Sequence, residues 1–142
     1  MSGDAVLLDS AVPLYAFGGP SAYKTSCEEV MRRVATDALA AYASVEMVQE
    51  FVHRRLRRHG DHVMAAMDGH DLAAMLKLLD FDAAVLELSL DLIGRGPNVR
   101  GRDAVHAATA LLFGIETIIS PDPAFDGIGG IVRADPRAVA AS

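Results

Sequence analysis

Residues 101–126, GRDAVHAATALLFGIETIISPDPAFD, decide the fold that this sequence predicts. They predict a helix that begins near Asp103, runs through alanine-rich sequence and stops at Gly114. Residues 115–119 are mostly β-branched and predict a buried strand, so the stretch is half of an α/β unit. Three polar residues follow this strand: Ser120, Asp122 and Asp126. The carboxylates therefore stand at a helix start and just past a strand end, where α/β folds bind ligands.

The composition is that of one ordinary globular domain. The chain has 142 residues, of which 51% are hydrophobic and 23% are charged, which suits a single core. Its one cysteine, Cys27, excludes an intrachain disulfide and indicates a reducing compartment. No segment approaches the roughly 18 apolar residues of a membrane span, and the first residues do not resemble a signal peptide. We expect a cytoplasmic single domain over residues 1–142, with a frayed tail from about 136.

Charge is unevenly distributed along the chain. The net charge of −6 gives no general attraction for nucleic acid. Residues 53–62, HRRLRRHGDH, nevertheless hold four arginines and three histidines. This run predicts a solvated helix face, with phosphate or partner binding as the alternative. Arg100 and Arg102 are better placed to bind a phosphate, because they adjoin Asp103.

The rest of the sequence surrounds the opening unit with further strands and helices. Residues 5–8 predict a first, central strand that ends at Asp9. Three more strands are predicted at 39–43, 78–81 and 128–133. Helices are predicted at 21–37, 45–59, 62–79 and 82–94. The apolar stripe expected on the third of these helices is Met64, Met67, Leu72, Met75 and Leu76. The alternation of strands and helices predicts an α/β fold.

This order of elements brings four carboxylates to one edge of the sheet. If the first strand and the strand at 115–119 are parallel neighbours, their carboxyl ends lie side by side. The four acids follow these strands or lie near helix starts: Asp9, Glu50, Asp103 and Asp122. Each has an ordinary alternative. Asp9 would be a turn residue, Asp103 a carboxylate that favours the helix dipole, and Glu50 a solvated charge.

Clustered carboxylates indicate a divalent cation, because the cation relieves their mutual repulsion. Oxygen ligands without a histidine or thiolate pattern suit hard ions, Mg2+ or Mn2+. Such a site serves phosphodiester hydrolysis, in which the cation activates water and neutralises the phosphate. The sequence has no GxSxG motif and no cysteine near a convincing base, so it indicates no protein nucleophile. These residues do not decide between one bound ion and two.

Four pieces of the sequence resemble, in order, the motifs of the PIN-domain family. They are VLLDSAVPLYAF, ASVEMVQEF, GRDAVHAATALLFGIETIIS and SPDPAFD, which carry Asp9, Glu50, Asp103 and Asp122. Within that family the sequence resembles the toxin ribonucleases of VapBC-type toxin–antitoxin pairs. The resemblance implies a PIN-like domain of three α/β/α layers, with a mostly parallel central sheet of four to five strands.

The same resemblance implies a toxin endoribonuclease that depends on Mg2+ or Mn2+. Asp9 and Asp103 would be the main metal ligands, and Glu50 and Asp122 would complete the acidic pocket. The implied partners are an RNA substrate, a second copy in a homodimer, and a VapB-like antitoxin that inserts a segment near the active site. The RNA target is not implied. Candidate RNA contacts or supports of the ligands are Ser120, Arg100, Arg102, His106 and Asp126.

Two positions depart from the family pattern or have rivals. Prolines flank Asp122 where the family often has charged or polar residues, so Asp126 could take its role. Glu46, one turn before Glu50, is a rival for the second acid, although the register after Ser-Val favours Glu50.

Two other functions compete with the nuclease. A catalytically silent PIN-like interaction module would keep the fold without the chemistry, but the intact acid set argues against it. An Asp-based phospho-acceptor domain would need a second Asp where Ala11 stands, or a lysine late in the chain. The only lysines, Lys24 and Lys77, are wrongly placed for that role.

Overall fold

The computed structural model describes residues 5–142, and within this range five strands form one all-parallel sheet. The strands are β1 (Ala5–Leu8), β2 (Ala40–Ser44), β3 (Lys77–Leu79), β4 (Thr117–Ile119) and β5 (Val132–Ala134). Their order in the sheet is β3-β2-β1-β4-β5, so β1 is central. Leu7 of β1 pairs with Tyr42 on one side and with Ile118 on the other. The α/β class and the neighbouring placement of β1 and β4 are confirmed.

Seven helices of the same range provide the crossovers that parallel strands require. They are α1 (Ala11–Phe17), α2 (Lys24–Ala35), α3 (Val45–His59), α4 (His62–Met75), α5 (Ala83–Arg95), α6 (Gly101–Leu112) and α7 (Pro136–Ala141). The predicted cap of α3 is present, since the Ser44 hydroxyl accepts the backbone N–H of Glu46 at 3.1 Å. Gly60 ends α3 with a φ of 72°, which favours glycine. None of these helices is long and apolar enough to span a bilayer.

The core lies in two clusters, one on each face of the sheet. Along β1, Val6 and Leu8 enter one cluster and Leu7 enters the other, because successive strand residues point to opposite faces. The first cluster takes its helical residues from α1 to α4, and the second takes them from α5 and α6. The chain therefore has the three α/β/α layers that the resemblance implies.

The C-terminal residues form a helix, so the prediction of a frayed tail from about 136 is wrong. The Asp135 carboxylate caps α7 by accepting the N–H of Arg137 at 2.8 Å. Arg33 on α2 then donates to the carbonyl oxygens of Val139 at 2.7 Å and Ala140 at 3.0 Å. The Asp135-Pro136 pair is a helix start signal, but the alanine-rich segment that follows is too short for its periodicity to indicate a helix.

Helix α4 also differs from its prediction. It ends at Met75 rather than near 79, and Met64 and Met67 of the expected inward stripe are more than half exposed. Its buried residues are Ala65, Gly69 and Leu72, and a Cβ added at Gly69 would lie 2.5 Å from a methyl group of Val52. Helix α4 therefore packs closely on α3 through small residues, and its methionines are left at the surface.

Candidate active site

Asp9 stands at the carboxyl end of the central strand. Its backbone N–H donates to the Ile119 carbonyl at 3.2 Å, which continues the pairing of β1 with β4 by one residue. The Ser120 hydroxyl donates to Asp9 Oδ2 at 2.7 Å and accepts the N–H of Asp122 at 3.0 Å. Ser120 is fully buried, so it fixes one oxygen of Asp9 and the position of the following loop together.

Asp122 lies in that loop at the mouth of the site. Its Oδ1 accepts the N–H of Ala124 at 2.9 Å and so caps a short 3-10 turn, Pro123–Phe125. Phe125 is fully buried and anchors the turn. Asp126 is exposed and pairs with Arg133 at 2.9 Å, away from the other acids. Of the two candidates for the fourth acid, the structure brings Asp122 into the cluster and not Asp126.

Asp103 occupies the first turn of α6 and is half-buried. Burial, together with the negative charges of Asp9, Asp122 and Glu50, raises the pKa of Asp103 to about 6. The nearby His106 opposes this rise. Ionised Asp103 is therefore costly at neutral pH unless a cation is added to the site.

Glu50 reaches the cluster from the middle of α3 and is buried. Its Oε1 accepts the Ser10 hydroxyl at 2.9 Å, and its Oε2 lies 3.6 Å from Arg54 Nη2 and 3.9 Å from Arg102 Nη1. Burial alone would raise the pKa of Glu50, but His106, the Ser10 hydroxyl and Arg102 outweigh burial and lower it. The rival Glu46 is instead paired with Arg102 at 3.2 Å.

His106 lies beneath the acids and is completely buried. Its Nε2 is 3.7 Å from Asp9 Oδ1 and 3.6 Å from Glu50 Oε1, beyond hydrogen-bond distance. Within residues 5–142 neither ring nitrogen has a hydrogen-bond partner. Burial lowers the pKa of His106, but the carboxylates around it prevail and raise it. Two roles are predicted for His106, RNA contact and support of the acids. Because His106 is completely buried, its position suits support of the acids and not RNA contact.

The donor set fits a hard divalent cation. Asp9 and Asp103 have no arginine or lysine partner within residues 5–142, and the pKa of Asp103 is raised by its neighbouring carboxylates. In the described part of the chain, no three acidic, histidine or cysteine side chains are close enough to enclose an ion. Mg2+ does not need such a cage, because it keeps several waters and takes one or two carboxylates besides substrate phosphates.

The acids open into a cleft of about 1100 Å3 between α1 and α3. The arginine run at 54–58 lines this cleft, so these arginines are not merely a solvated helix face. Arg102 also lines it, whereas Arg100 is exposed just before α6 and does not. The position of Arg102 is therefore compatible with its predicted role near a phosphate, whereas the predicted role of Arg100 would lie outside this cleft.

Sequence analysis missed three residues of the site. Ser10 directly follows Asp9, and a hydroxyl beside a predicted ligand was the available signal. Tyr15 and Tyr23 also line the cleft, one from α1 and one from just before α2. Nothing in the sequence marks these tyrosines, because their place depends on how α1 and α2 pack.

Comparison with known proteins places this geometry in a family. The sequence profile of the PIN domain matches residues 6–131. Ribonuclease VapC7 of Mycobacterium tuberculosis is 30% identical over 134 residues, which are 94% of this chain and 92% of the relative.

Two solved structures share the fold at low identity. VapC20 of Mycobacterium tuberculosis, described as a sarcin-ricin loop cleaving toxin, has a TM-score of 0.69 at 16% identity and covers 89% of this chain and 98% of its own. VapBC2 of Rickettsia felis, solved bound to a DNA fragment from its promoter, has a TM-score of 0.69 at 16% identity, with coverage of 92% and 97%. At these identities the two structures establish the fold alone.

Proposed function

This chain belongs to the PIN-domain family, and from that premise we propose that it is a toxin endoribonuclease dependent on Mg2+ or Mn2+. The observation that carries the proposal is the meeting of Asp9, Glu50, Asp103 and Asp122 at one end of an open cleft. The relatives named ribonucleases support the RNA substrate. A silent interaction module would have no need to keep Asp103 at a raised pKa.

Asp9 and Asp103 are the residues that would hold the cation, since neither is neutralised by an arginine or lysine of the described chain. A bound divalent cation would supply the charge that neutralises the phosphate and makes water a better nucleophile. Ser120 holds Asp9 in place, because its hydroxyl donates to one carboxylate oxygen at 2.7 Å. Asp122 adds negative charge at the mouth of the site.

Glu50 has a different role from Asp9 and Asp103. Ser10 fixes one of its oxygens, and Arg54 and Arg102 lie within 4 Å of the other, so Glu50 is ionised and oriented. A carboxylate with a lowered pKa suits the positioning of water better than the transfer of a proton near neutral pH. His106 Nε2 lies within 4 Å of both Asp9 and Glu50, and the raised pKa of His106 favours a positive charge that offsets the repulsion between these carboxylates.

The proposal includes two protein partners. A VapB-like antitoxin is the expected inhibitor, and the VapBC2 complex among the structural neighbours supports it. A homodimer is supported by the apolar stripe of α5, where Leu86, Leu90 and Ile93 lie at helical spacing and are exposed. We place the complex in the cytoplasm, because the lone thiol, Cys27, is buried and unpaired.

The test is cleavage of total RNA by the purified chain with Mg2+, with Mn2+ and with EDTA, followed by mapping of the new 5′ ends. We expect discrete cuts that need the metal and disappear in Asp103→Asn. The matched control is Asp126→Asn, which removes an exposed carboxylate outside the cluster and leaves the cuts intact. Cuts that persist in Asp103→Asn, or in EDTA, would refute the metal-dependent mechanism.

A further inference from the structure

Most of the cleft has no role once the acids are assigned. Its volume of about 1100 Å3 exceeds the range of about 300–1,000 Å3 typical of small-molecule pockets. The lining beyond the acids includes arginines from the second half of α3 and tyrosines from α1 and the start of α2. Cations for phosphates and aromatic rings for bases are the two chemistries that bind single-stranded nucleic acid.

The arginine wall starts at the acids and runs away from them. Arg54, Arg57 and Arg58 share the face of α3 that carries Glu50, at spacings of four, seven and eight residues. Arg54 Nη2 is 3.6 Å from Glu50 Oε2, so the row of arginines begins next to the acidic cluster. Arg57 and Arg58 are exposed and form no ion pair within residues 5–142. The helix dipole favours cations in the last turn of α3, but it does not explain why these arginines all line the same wall of the cleft.

The two helices that border the groove are tied to each other. Arg55 donates to the Phe17 carbonyl at 3.0 Å and pairs with Asp68 at 2.7 Å, which ties α3 to α1 and α4. The rings of Phe17 and Phe51 meet edge to face at 5.9 Å beside this tie. The groove between α1 and α3 therefore exists before any ligand binds, which reduces the ordering that binding requires.

The tyrosine wall is also fixed in place. The rings of Tyr15 and Tyr23 have centroids 5.3 Å apart at an angle of 34°, and both are half-buried. The guanidinium of Arg137 lies 4.6 Å from the centre of the Tyr23 ring, and Asp135 holds Arg137 at 3.2 Å. Rigid rings at the edge of a groove form a surface on which a base can stack at little cost in entropy.

We propose that the groove between α1 and α3 binds the unpaired RNA strand on one side of the scissile phosphate. Arg54, Arg57 and Arg58 contact successive phosphates, and a base stacks at the Tyr15–Tyr23 wall. This inference rests on the proposed ribonuclease function, because it takes the acidic end of the cleft as the point of cleavage. Since a paired base cannot reach the tyrosines, the groove selects unpaired nucleotides beside the cut.

The arginine wall is tested by the salt dependence of RNA binding. The probe is a fluorescein-labelled, unstructured RNA of about 12 nucleotides, and every protein carries Asp103→Asn so that the RNA stays intact. Arg58→Ala should reduce the slope of log K against log salt by about 0.7, the value for one phosphate contact of a single strand. Arg95→Ala is the matched control, since Arg95 is also exposed in the last turn of a helix but lies outside the cleft. Equal slopes in the two variants would refute the proposed phosphate contacts of the arginine wall.

The tyrosine wall is tested by removing one ring. Tyr15→Leu should weaken binding of the single strand by about 5- to 150-fold, whereas Tyr15→Phe should retain it. A 2-aminopurine base in the probe should lose fluorescence on binding to the phenylalanine variant and not to the leucine variant. The thermal midpoint of each variant reports whether it folds. Tight binding with full quenching by a folded Tyr15→Leu variant would refute the stacking of a base at this wall. Equal affinity for the duplex of the same sequence would also refute it.

These results are separable from the proposed catalysis. If the probe binds as described but the unsubstituted chain cuts no RNA with any metal, the groove stands and the ribonuclease proposal fails. If the chain cuts RNA and neither Arg58→Ala nor Tyr15→Leu changes binding, the ribonuclease proposal stands and the groove proposal fails.

Discussion

Glu29 on α2 and Asp103 on α6 are both carboxylates among other charges, but their surroundings move their pKa values in opposite directions. Hydrogen bonds from Arg32 and Arg33 lower the pKa of Glu29. Burial and three neighbouring carboxylates raise the pKa of Asp103 to about 6. Arg33 also binds the last carbonyl groups of α7, so Glu29 belongs to the framework that attaches this helix.

The difference separates acids that serve the fold from acids that serve the site. The protein supplies cations for Glu29 and for Asp135, which pairs with Arg137. It supplies no arginine or lysine for Asp9 and Asp103 within residues 5–142. A carboxylate that the chain leaves without such a partner is free to bind an added cation, at some cost to stability while that cation is absent.

The largest expected effect is on cleavage. Asp9→Asn should lower the rate of RNA cleavage by at least about 1,000-fold, because loss of the metal removes several kcal/mol of charge stabilisation. Glu29→Gln should change the rate less than about twofold, since Glu29 lies at the α2–α7 contact, outside the cleft. The measurement is the initial rate on the target RNA that 5′-end mapping identifies. A comparable loss in Glu29→Gln would remove the distinction between the two groups of acids.

A smaller loss of cleavage is expected from Ser120→Ala. This change removes the hydroxyl that holds Asp9, and removal of such a support typically costs about 10- to 100-fold. Ser89→Ala is the matched control, because Ser89 is also a buried hydroxyl with one backbone acceptor, the Leu86 carbonyl at 2.8 Å. Both variants should lose similar thermal stability, and only Ser120→Ala should lose activity. Equal rates in the two would show that Asp9 needs no support from Ser120.

Metal addition should stabilise the chain through the unpartnered acids. At about 100 times the dissociation constant, an ion that binds only the folded state adds about 2.7 kcal/mol, or about 5–10 °C in the thermal midpoint. We expect this rise with Mg2+ or Mn2+ in the unsubstituted chain and in Glu29→Gln, and its absence in Asp9→Asn. A thermal melt with and without EDTA measures it, and a full rise in Asp9→Asn would place the ion elsewhere.

The smallest effect is a pH dependence of stability without metal. Because the pKa of Asp103 is raised to about 6 in the folded chain, protonation of Asp103 favours folding. Its stabilising contribution is fully present below the ordinary pKa of about 3.9 and is lost as the pH rises through about 6. In EDTA, the thermal midpoint should rise from pH 7 to pH 5 more in the unsubstituted chain than in Asp103→Asn.

Glu29→Gln provides the contrast for this pH experiment. Since the pKa of Glu29 is lowered, its stabilising contribution is present above the ordinary pKa of about 4.3 and is lost only at lower pH. Between pH 5 and pH 7 the Glu29→Gln variant should therefore keep the slope of the unsubstituted chain. An identical slope in Asp103→Asn would mean that Asp103 is not the group whose protonation favours folding.

The acids could be predicted from the sequence because their places follow from local signals. Asp9 and Asp122 stand just past strands, and Asp103 stands in the first turn of a helix. A strand end or a helix start is visible in a few residues, and parallel pairing brings the carboxyl ends of strands together. Motif register favours Glu50 over Glu46, and in the structure Glu50 is buried among the acids, whereas Glu46 is half-buried and paired with Arg102.

The cleft walls could not be predicted in the same way. Whether the arginines of α3 face solvent or a groove depends on where α1 packs, and no local pattern reports that contact. The predicted burial of Met64 and Met67 on α4 is wrong for a related reason. Met64 lies eight residues before the buried Leu72, but close packing at Gly69 turns Ala65, Gly69 and Leu72 inward and leaves Met64 and Met67 exposed. Periodicity identifies an apolar face and does not tell whether that face meets the core.

The hydrogen bond from Ser120 to Asp9 joins residues 111 positions apart in the chain. Translation proceeds from the N-terminus, so Asp9 and Glu50 emerge from the ribosome well before Asp103 and Ser120 do. Until β4 emerges and pairs with β1, a nascent chain lacks the hydroxyl that holds Asp9. The acidic cluster is therefore completed only after β4 has joined the sheet, so this end of the cleft assembles late in the synthesis of the chain.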